Sequence, residues 1–203
     1  MNSFFGILAM IAFSFALTNL IAQNKAEIDK PAPDFELTDV NDTKHKLSDF
    51  HGKFVVLEWI NFDCPFVKKH YDSENMQKLQ EKYTSQGVVW LAICSSAPGK
   101  EGNLSKDEIK KRAATYKAKF TAYLIDESGD IGRMYSAKTT PHMYIIDPQG
   151  KLIYAGAIDS IRSTDKADID KAENYISKAL NEALAGKSVS TKVTQPYGCS
   201  VKY

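Results

Sequence analysis

Two stretches of the chain are apolar almost without interruption. Phe54-Val55-Val56-Leu57-Glu58-Trp59-Ile60 and Val88-Val89-Trp90-Leu91-Ala92-Ile93-Cys94 are rich in β-branched and aromatic side chains, as strands buried on both faces are. Glu58 is the one charge in the first run. Between the runs, Pro65 suits the first position of a helix. The positions Val67, Tyr71, Met76, Leu79 and Tyr83 carry that helix to about Ser85, and Gly87 ends it. Strand, crossover helix and strand make one parallel unit of right-handed sense.

The flanking patterns are shorter. Phe35–Thr38 and His45–Leu47 alternate around Asn41-Asp42 and predict a small hairpin. Ser105 followed by Glu108 is a capping box for a helix to about Lys117. Tyr123–Ile125 reads as a strand and Asp130–Tyr135 as a short helix. Met143–Ile146 and Lys151–Tyr154 form a hairpin around Asp147-Pro148-Gln149-Gly150. Ala167–Leu184 predicts a helix closed by Gly186, and Lys187–Tyr203 an extended tail. The order implies an α/β sandwich, a mostly parallel sheet ending in an antiparallel hairpin with helices on both faces.

Ahead of all this, Phe4–Ala22 carries no charge and the chain turns polar over Asn24–Lys30. Residues 1–22 read as a secretory signal, removed on export to the periplasm; the alternative is an uncleaved membrane anchor. Residues 23–33 read as a linker, 34–186 as the domain and 187–203 as its tail. The 26 basic and 25 acidic residues nearly cancel, which gives no reason to expect nucleic acid or an acidic surface as partner. The membrane enters only through this N-terminal segment, if it stays uncleaved.

Of three cysteines, Cys64, Cys94 and Cys199, the first is placed for chemistry. Cys64 lies between a buried strand and a helix N-terminus, where unpaired N–H groups and the helix dipole favour negative charge and a thiolate is more available. An anchor for a structural disulfide is the plainer reading. Cys94 ends a buried strand and reads as a small core residue.

Ala32-Pro33-Asp34-Phe35, Asn61-Phe62-Asp63-Cys64-Pro65-Phe66-Val67, Thr139-Thr140-Pro141, Asp147-Pro148-Gln149-Gly150-Lys151-Leu152 and Gly198-Cys199-Ser200 follow one another in the order found in the thioredoxin superfamily. The chain most resembles the peroxiredoxin-like redoxins of the alkyl hydroperoxide reductase and thiol-specific antioxidant group, from about Pro31 to Tyr203. The resemblance implies a thioredoxin-like α/β/α sandwich with a mixed central sheet, an N-terminal hairpin and an extended C-terminal tail. It also implies a cis bond between Thr140 and Pro141 against the active cysteine, whose turn frees backbone groups to pair with an extended substrate. Thioredoxins carry a second cysteine where Val67 stands, so no local dithiol cycle operates here. Peroxiredoxins carry a Pro and a Thr where Leu57 and Asn61 stand, so the hydroxyl that orients a peroxide is missing, although Asn61 retains hydrogen-bonding groups.

Glu58 falls where thioredoxins bury an acid. If buried, it has a raised pKa and exchanges protons during thiol chemistry; if strand alternation turns it outward, it meets solvent or a lysine. Cys199 pairs with Cys64 as a resolving thiol, closing a long loop worth about 5 kcal/mol in the chain-entropy model; a permanent structural bridge, a bridge between chains and a free thiol are the alternatives. His142 follows Pro141 and could approach Cys64. His70 reads as solvated or capping, and Lys68 and Lys69 as a charged helix face. No organic cofactor is implied, since the sequence shows no dinucleotide fingerprint, and no metal is expected, because a Cys–His copper site needs a second cysteine near Cys64. The expected activity is that of a thiol oxidoreductase or antioxidant protein using Cys64, Cys199, Glu58, Thr140 and Pro141, with a thiol/disulfide protein or a small oxidant as partner. A weak thiol peroxidase and a redox-inert binding module with a structural disulfide are the alternatives.

Overall fold

The two apolar runs are the central strands. The computed structural model describes residues 25–203, and the expected leader over residues 1–22 lies outside the described residues. β3 (Val55–Trp59) and β4 (Val89–Cys94) run parallel, pairing Val55 with Val89 through Trp59 with Ile93. β5 (Ala122–Ile125) continues the parallel core beside β4. On the other side of β3, β7 (His142–Ile146) runs antiparallel and leads through the Asp147 turn into β8 (Leu152–Gly156). Asp147 Oδ1 accepts from the N–H groups of Gln149 (3.0 Å) and Lys151 (2.8 Å), which fixes that turn. The predicted N-terminal hairpin, β1 (Glu36–Asp39) and β2 (Lys44–Lys46), adds antiparallel to β5, giving the order β2-β1-β5-β4-β3-β7-β8. A separate two-stranded pair joins β6 (Thr139–Thr140) to β9 (Cys199–Ser200).

Alternation along the central strands builds two cores. Val56, Ile60, Trp90 and Ala92 face α1 (Pro65–Asp72), α2 (Asn75–Thr84), α3 (Lys106–Thr115) and α5 (Tyr175–Leu184). Val55, Leu57, Trp59, Leu91 and Ile93 face α4 (Asp130–Met134) and the 3-10 turn Leu47–Phe50. The architecture is the mixed α/β/α sandwich expected from the sequence. Among the described residues no helix is long and apolar enough to cross a membrane.

Two expected helices are divided. The helix over residues 65–85 breaks at Ser73–Glu74, where Glu74 takes φ +59°. Tyr71 and Met76 lie five positions apart, too far for one helical stripe, and the break turns α2 so that Met76, Leu79, Gln80 and Tyr83 are buried. The helix over residues 167–184 begins only at Tyr175. Asn174 caps it, accepting from Ser177 N–H at 2.8 Å, and the preceding 3-10 turn Lys166–Lys171 buries no side chain. Residues 26–32 hydrogen-bond to the domain through Ala26 to Met134, Asp29 to Leu152 and Ala32 to Gly150.

Candidate active site

Cys64 is the N-cap of α1, with Pro65 as its first helical residue. The turn before it is held by one side chain. Asn61 Oδ1 accepts from Asp63 N–H (2.9 Å), its carbonyl accepts from Cys64 N–H (3.0 Å), and its Nδ2 donates to Glu101 Oε1 (3.0 Å). The Asn61 amide is therefore taken up in shaping the turn and joining it to the 101–103 loop. Arg112 braces the same turn from α3, paired with Asp63 at 2.5 Å and with Glu108 at 2.9 Å.

The thiol of Cys64 has no accessible surface. Its Sγ lies 3.0 Å from the carbonyl oxygen of Thr140 and 2.7 Å from Cys199 Sγ. The Thr140–Pro141 bond is cis, as the resemblance implied. β9 pairs with β6 so that Cys199 stands opposite Thr140 and Ser200 opposite Thr139. Beyond them Val201 N–H donates to Lys138 (3.1 Å), Ala97 N–H to Lys202 (2.8 Å), and Tyr203 Oη to the carbonyl of Ala137 (2.7 Å). Gly198 lets the tail come this close: it takes φ +140°, and a Cβ there would sit 2.0 Å from the Thr140 oxygen.

Burial pushes the Cys199 thiol up to about 12, and its contact with Cys64 pushes the same way. Cys199 is thus held protonated at neutral pH. Thr140 Oγ1 is buried with no hydrogen-bond partner among the described residues.

Of the expected site residues, Cys64, Cys199, Thr140 and Pro141 converge and Glu58 stands apart. Glu58 is fully buried on the helix-covered face, accepting from Trp90 Nε1 (2.8 Å), Tyr71 Oη (3.0 Å) and Gln80 Nε2 (3.1 Å). The outward-facing reading of this residue is therefore overturned. Burial lifts its pKa from the ordinary 4.5 to about 7, against the pull of those three donors. The folded chain then keeps a proton that the unfolded chain releases above pH 4.5, so Glu58 favours folding at low pH and that contribution is lost as the pH rises through about 7. Buried His70 and His142, lowered to about 4 and about 3, act with the opposite sign, so the comparison has to be made against a single-site variant. Relative to Glu58→Gln, the wild-type chain should lose about 3 kcal/mol of stability between pH 4.5 and pH 7 in urea unfolding, and a constant difference would contradict the assignment.

Three side chains are placed differently from expectation. His142 does not approach Cys64: its Nδ1 accepts from Lys138 N–H (3.2 Å) and lies 3.0 Å from Tyr144 Oη, and it shares the sheet face of Tyr144 and Ile146, opposite to that of Cys64. His70 and Lys69, expected in solvent, are buried among Asp159, Asn75 and Tyr197. Their partners lie far along the chain, so no local pattern points to them. Cys94 contacts Ser96 and Gly102, as a core residue would.

Residues 28–155 match the model of the AhpC/TSA family. The chain belongs to the AhpC/TSA family. It is similar to the thiol-disulfide oxidoreductase ResA of Bacillus thuringiensis subsp. konkukian, 31% identical over 131 residues that cover 64% of this chain and 70% of that protein. It is also similar to the crystal structure of an uncharacterized conserved protein from Geobacillus kaustophilus, with a TM-score of 0.78, 31% identity and coverage of 89% and 94%. The thioredoxin domain of a thiol-disulfide oxidoreductase from Bacteroides vulgatus shares the fold at a TM-score of 0.52 and 19% identity, covering 72% of this chain and 98% of that one. Cys64 of this AhpC/TSA protein lies inside the matched span, whereas α5 and the tail carrying Cys199 lie beyond it.

Proposed function

We propose that this AhpC/TSA protein is an exported thiol-disulfide oxidoreductase in which Cys64 attacks and Cys199 resolves. The observation that carries the reading is the 2.7 Å approach of the two sulfurs across the β6–β9 pair. A disulfide needs about 2.05 Å, so less than an ångström of movement closes the bridge. In the forward direction the Cys64 thiolate attacks one sulfur of a partner disulfide, and the other leaves as a thiolate and takes up a proton. Cys199 then gives up its proton and attacks Cys64 Sγ, expelling the second partner sulfur as a thiol. Two electrons pass to the partner, and two thiols here become one disulfide. The reverse sequence oxidises a partner dithiol. The relatives named as thiol-disulfide oxidoreductases support this class of chemistry, and a thiol or disulfide protein is the partner it implies.

The Thr140 carbonyl holds the Cys64 thiol. In this reading Glu58, its pKa raised by burial to about 7, exchanges protons during the thiol chemistry. The uncharged run Phe4–Ala22 supports export.

The peroxidase alternative is weaker because the Asn61 amide is already bonded to Glu101 and Asp63. Stopped-flow mixing separates the two. Reduced protein should exchange rapidly with an aromatic disulfide and react with hydrogen peroxide no faster than a free thiolate. Peroxide reduction far faster than disulfide exchange would overturn the assignment.

A further inference from the structure

Cys199 faces Cys64 while the tail is held down, and one hold lies two residues upstream. Tyr197 is 4% exposed, and its hydroxyl donates to Asp159 Oδ1. Asp159 is itself 3% exposed, in the segment that follows β8. Its other oxygen accepts from Lys69 Nζ at 3.2 Å and lies 3.8 Å from His70 Nε2. Lys69 Nζ also donates to the carbonyl of Ile161 at 3.1 Å. Asn75 Nδ2 lies 2.9 Å from His70 Nδ1 and donates to it. The ring proton then sits on Nε2, facing Asp159 and, at 3.4 Å, the Tyr197 oxygen. The Tyr197 ring packs edge-on against Phe66, with centroids 5.8 Å apart, and Lys69 Nζ lies 5.7 Å from its centre.

A fully buried ion pair is a poor device for stability alone, because apolar residues of similar volume commonly do as well. What it supplies is a defined geometry, and the geometry here spans the two sulfurs. Lys69 and His70 lie on α1, the helix that Cys64 caps. Tyr197 lies on the tail that carries Cys199. Asp159 joins them, bonded to Lys69 through one oxygen and to Tyr197 through the other.

We infer that Tyr197 is a positioning residue: bonded to Asp159, it ties the tail to the Cys64 helix and sets the effective concentration of the Cys199 thiol at Cys64. The inference rests on the exchange reading of the two cysteines. It gives the tail two states, one seated with Cys64 covered and one lifted with Cys64 open to a partner, and the Tyr197 hydroxyl biases the balance toward the first.

Tyr197→Phe keeps the ring against Phe66 and removes only the hydroxyl. In the full-length, fully reduced protein, alkylation of Cys64 by N-ethylmaleimide, followed by peptide mass spectrometry, should accelerate about tenfold or more, the factor a hydrogen bond to a buried carboxylate supplies. The Cys64–Cys199 bridge, equilibrated against reduced and oxidised dithiothreitol, should shift toward the dithiol by a similar factor. Tyr83→Phe, which removes a tyrosine hydroxyl bonded to Ser177 and Asn181 on α5, serves as control and should move neither reading. A Tyr197→Phe chain that is less stable to urea yet unchanged in both readings would overturn the inference and leave the cluster structural. If no bridge forms even in the wild-type chain, the exchange reading itself fails, and the alkylation rates alone decide whether Tyr197 holds the tail.

Discussion

A Cys199→Ser variant should accumulate a mixed disulfide at Cys64 and turn over on the order of a hundredfold more slowly, or worse. The wild-type resolving thiol is already 2.7 Å from the sulfur it must attack, and such prepaid positioning is worth far more than any thiol in solution can offer at millimolar concentration. Serine keeps the shape of the tail and its pairing with Thr140, so Cys64 remains as covered as before and the first attack proceeds. Only release fails. Intact-mass analysis after mixing with a small disulfide should show one adduct per chain on the variant and none persisting on the wild type. A variant that turns over normally would mean that an external thiol resolves Cys64 and that the tail cysteine is incidental.

The second large effect is expected at Gly198. An alanine there places its Cβ 2.0 Å from the Thr140 carbonyl oxygen, a backbone atom, at a φ of +140°. The Thr140 oxygen belongs to β6, which runs directly into the central strand β7, so the tail rather than the sheet is expected to lift. Backbone strain of this kind costs about 1–3 kcal/mol before the clash is counted. The bridge equilibrium should therefore fall by at least about tenfold in Gly198→Ala. Cys64 should react with maleimide correspondingly faster. Gly186→Ala provides the contrast: its φ is +71° but nothing lies within 4 Å of the added carbon, so it should cost some stability and leave the bridge equilibrium alone.

The fold was legible in the sequence because its signals are local. The two apolar runs became β3 and β4, the Asp147 turn and its flanking runs became β7 and β8, and Ser105 accepts from Glu108 N–H at 3.2 Å as the capping box requires. Residues 65–85 read in the sequence as one helix; the sign of their division, missed in that reading, is the five-residue step from Tyr71 to Met76 that no single helical stripe accommodates.

The site was legible only in part. Cys64 announced itself by its place between a strand and a proline-led helix, and the resemblance supplied Pro141 and Cys199. The order of contacts behind them was not readable. Lys69 is of a residue type almost never fully buried unless paired, and the partners of Lys69 and His70, Asp159 and Tyr197, lie about 90 and 127 positions away. His142 adjoins the critical proline in sequence, but strand alternation sends its ring to the opposite face. Asn61 retains hydrogen-bonding groups as read from the sequence, and in the fold they are taken up by its own turn and by Glu101.

The most direct test of the account is the redox equilibrium of Cys64 with Cys199. The full-length protein would be brought to equilibrium in graded mixtures of reduced and oxidised dithiothreitol, quenched with maleimide and mapped by mass spectrometry. The account predicts one reversible bridge, between Cys64 and Cys199, with Cys94 a free thiol throughout. A bridge involving Cys94, a Cys64–Cys199 bridge that strong reductant does not open, or no bridge at any poise would contradict it.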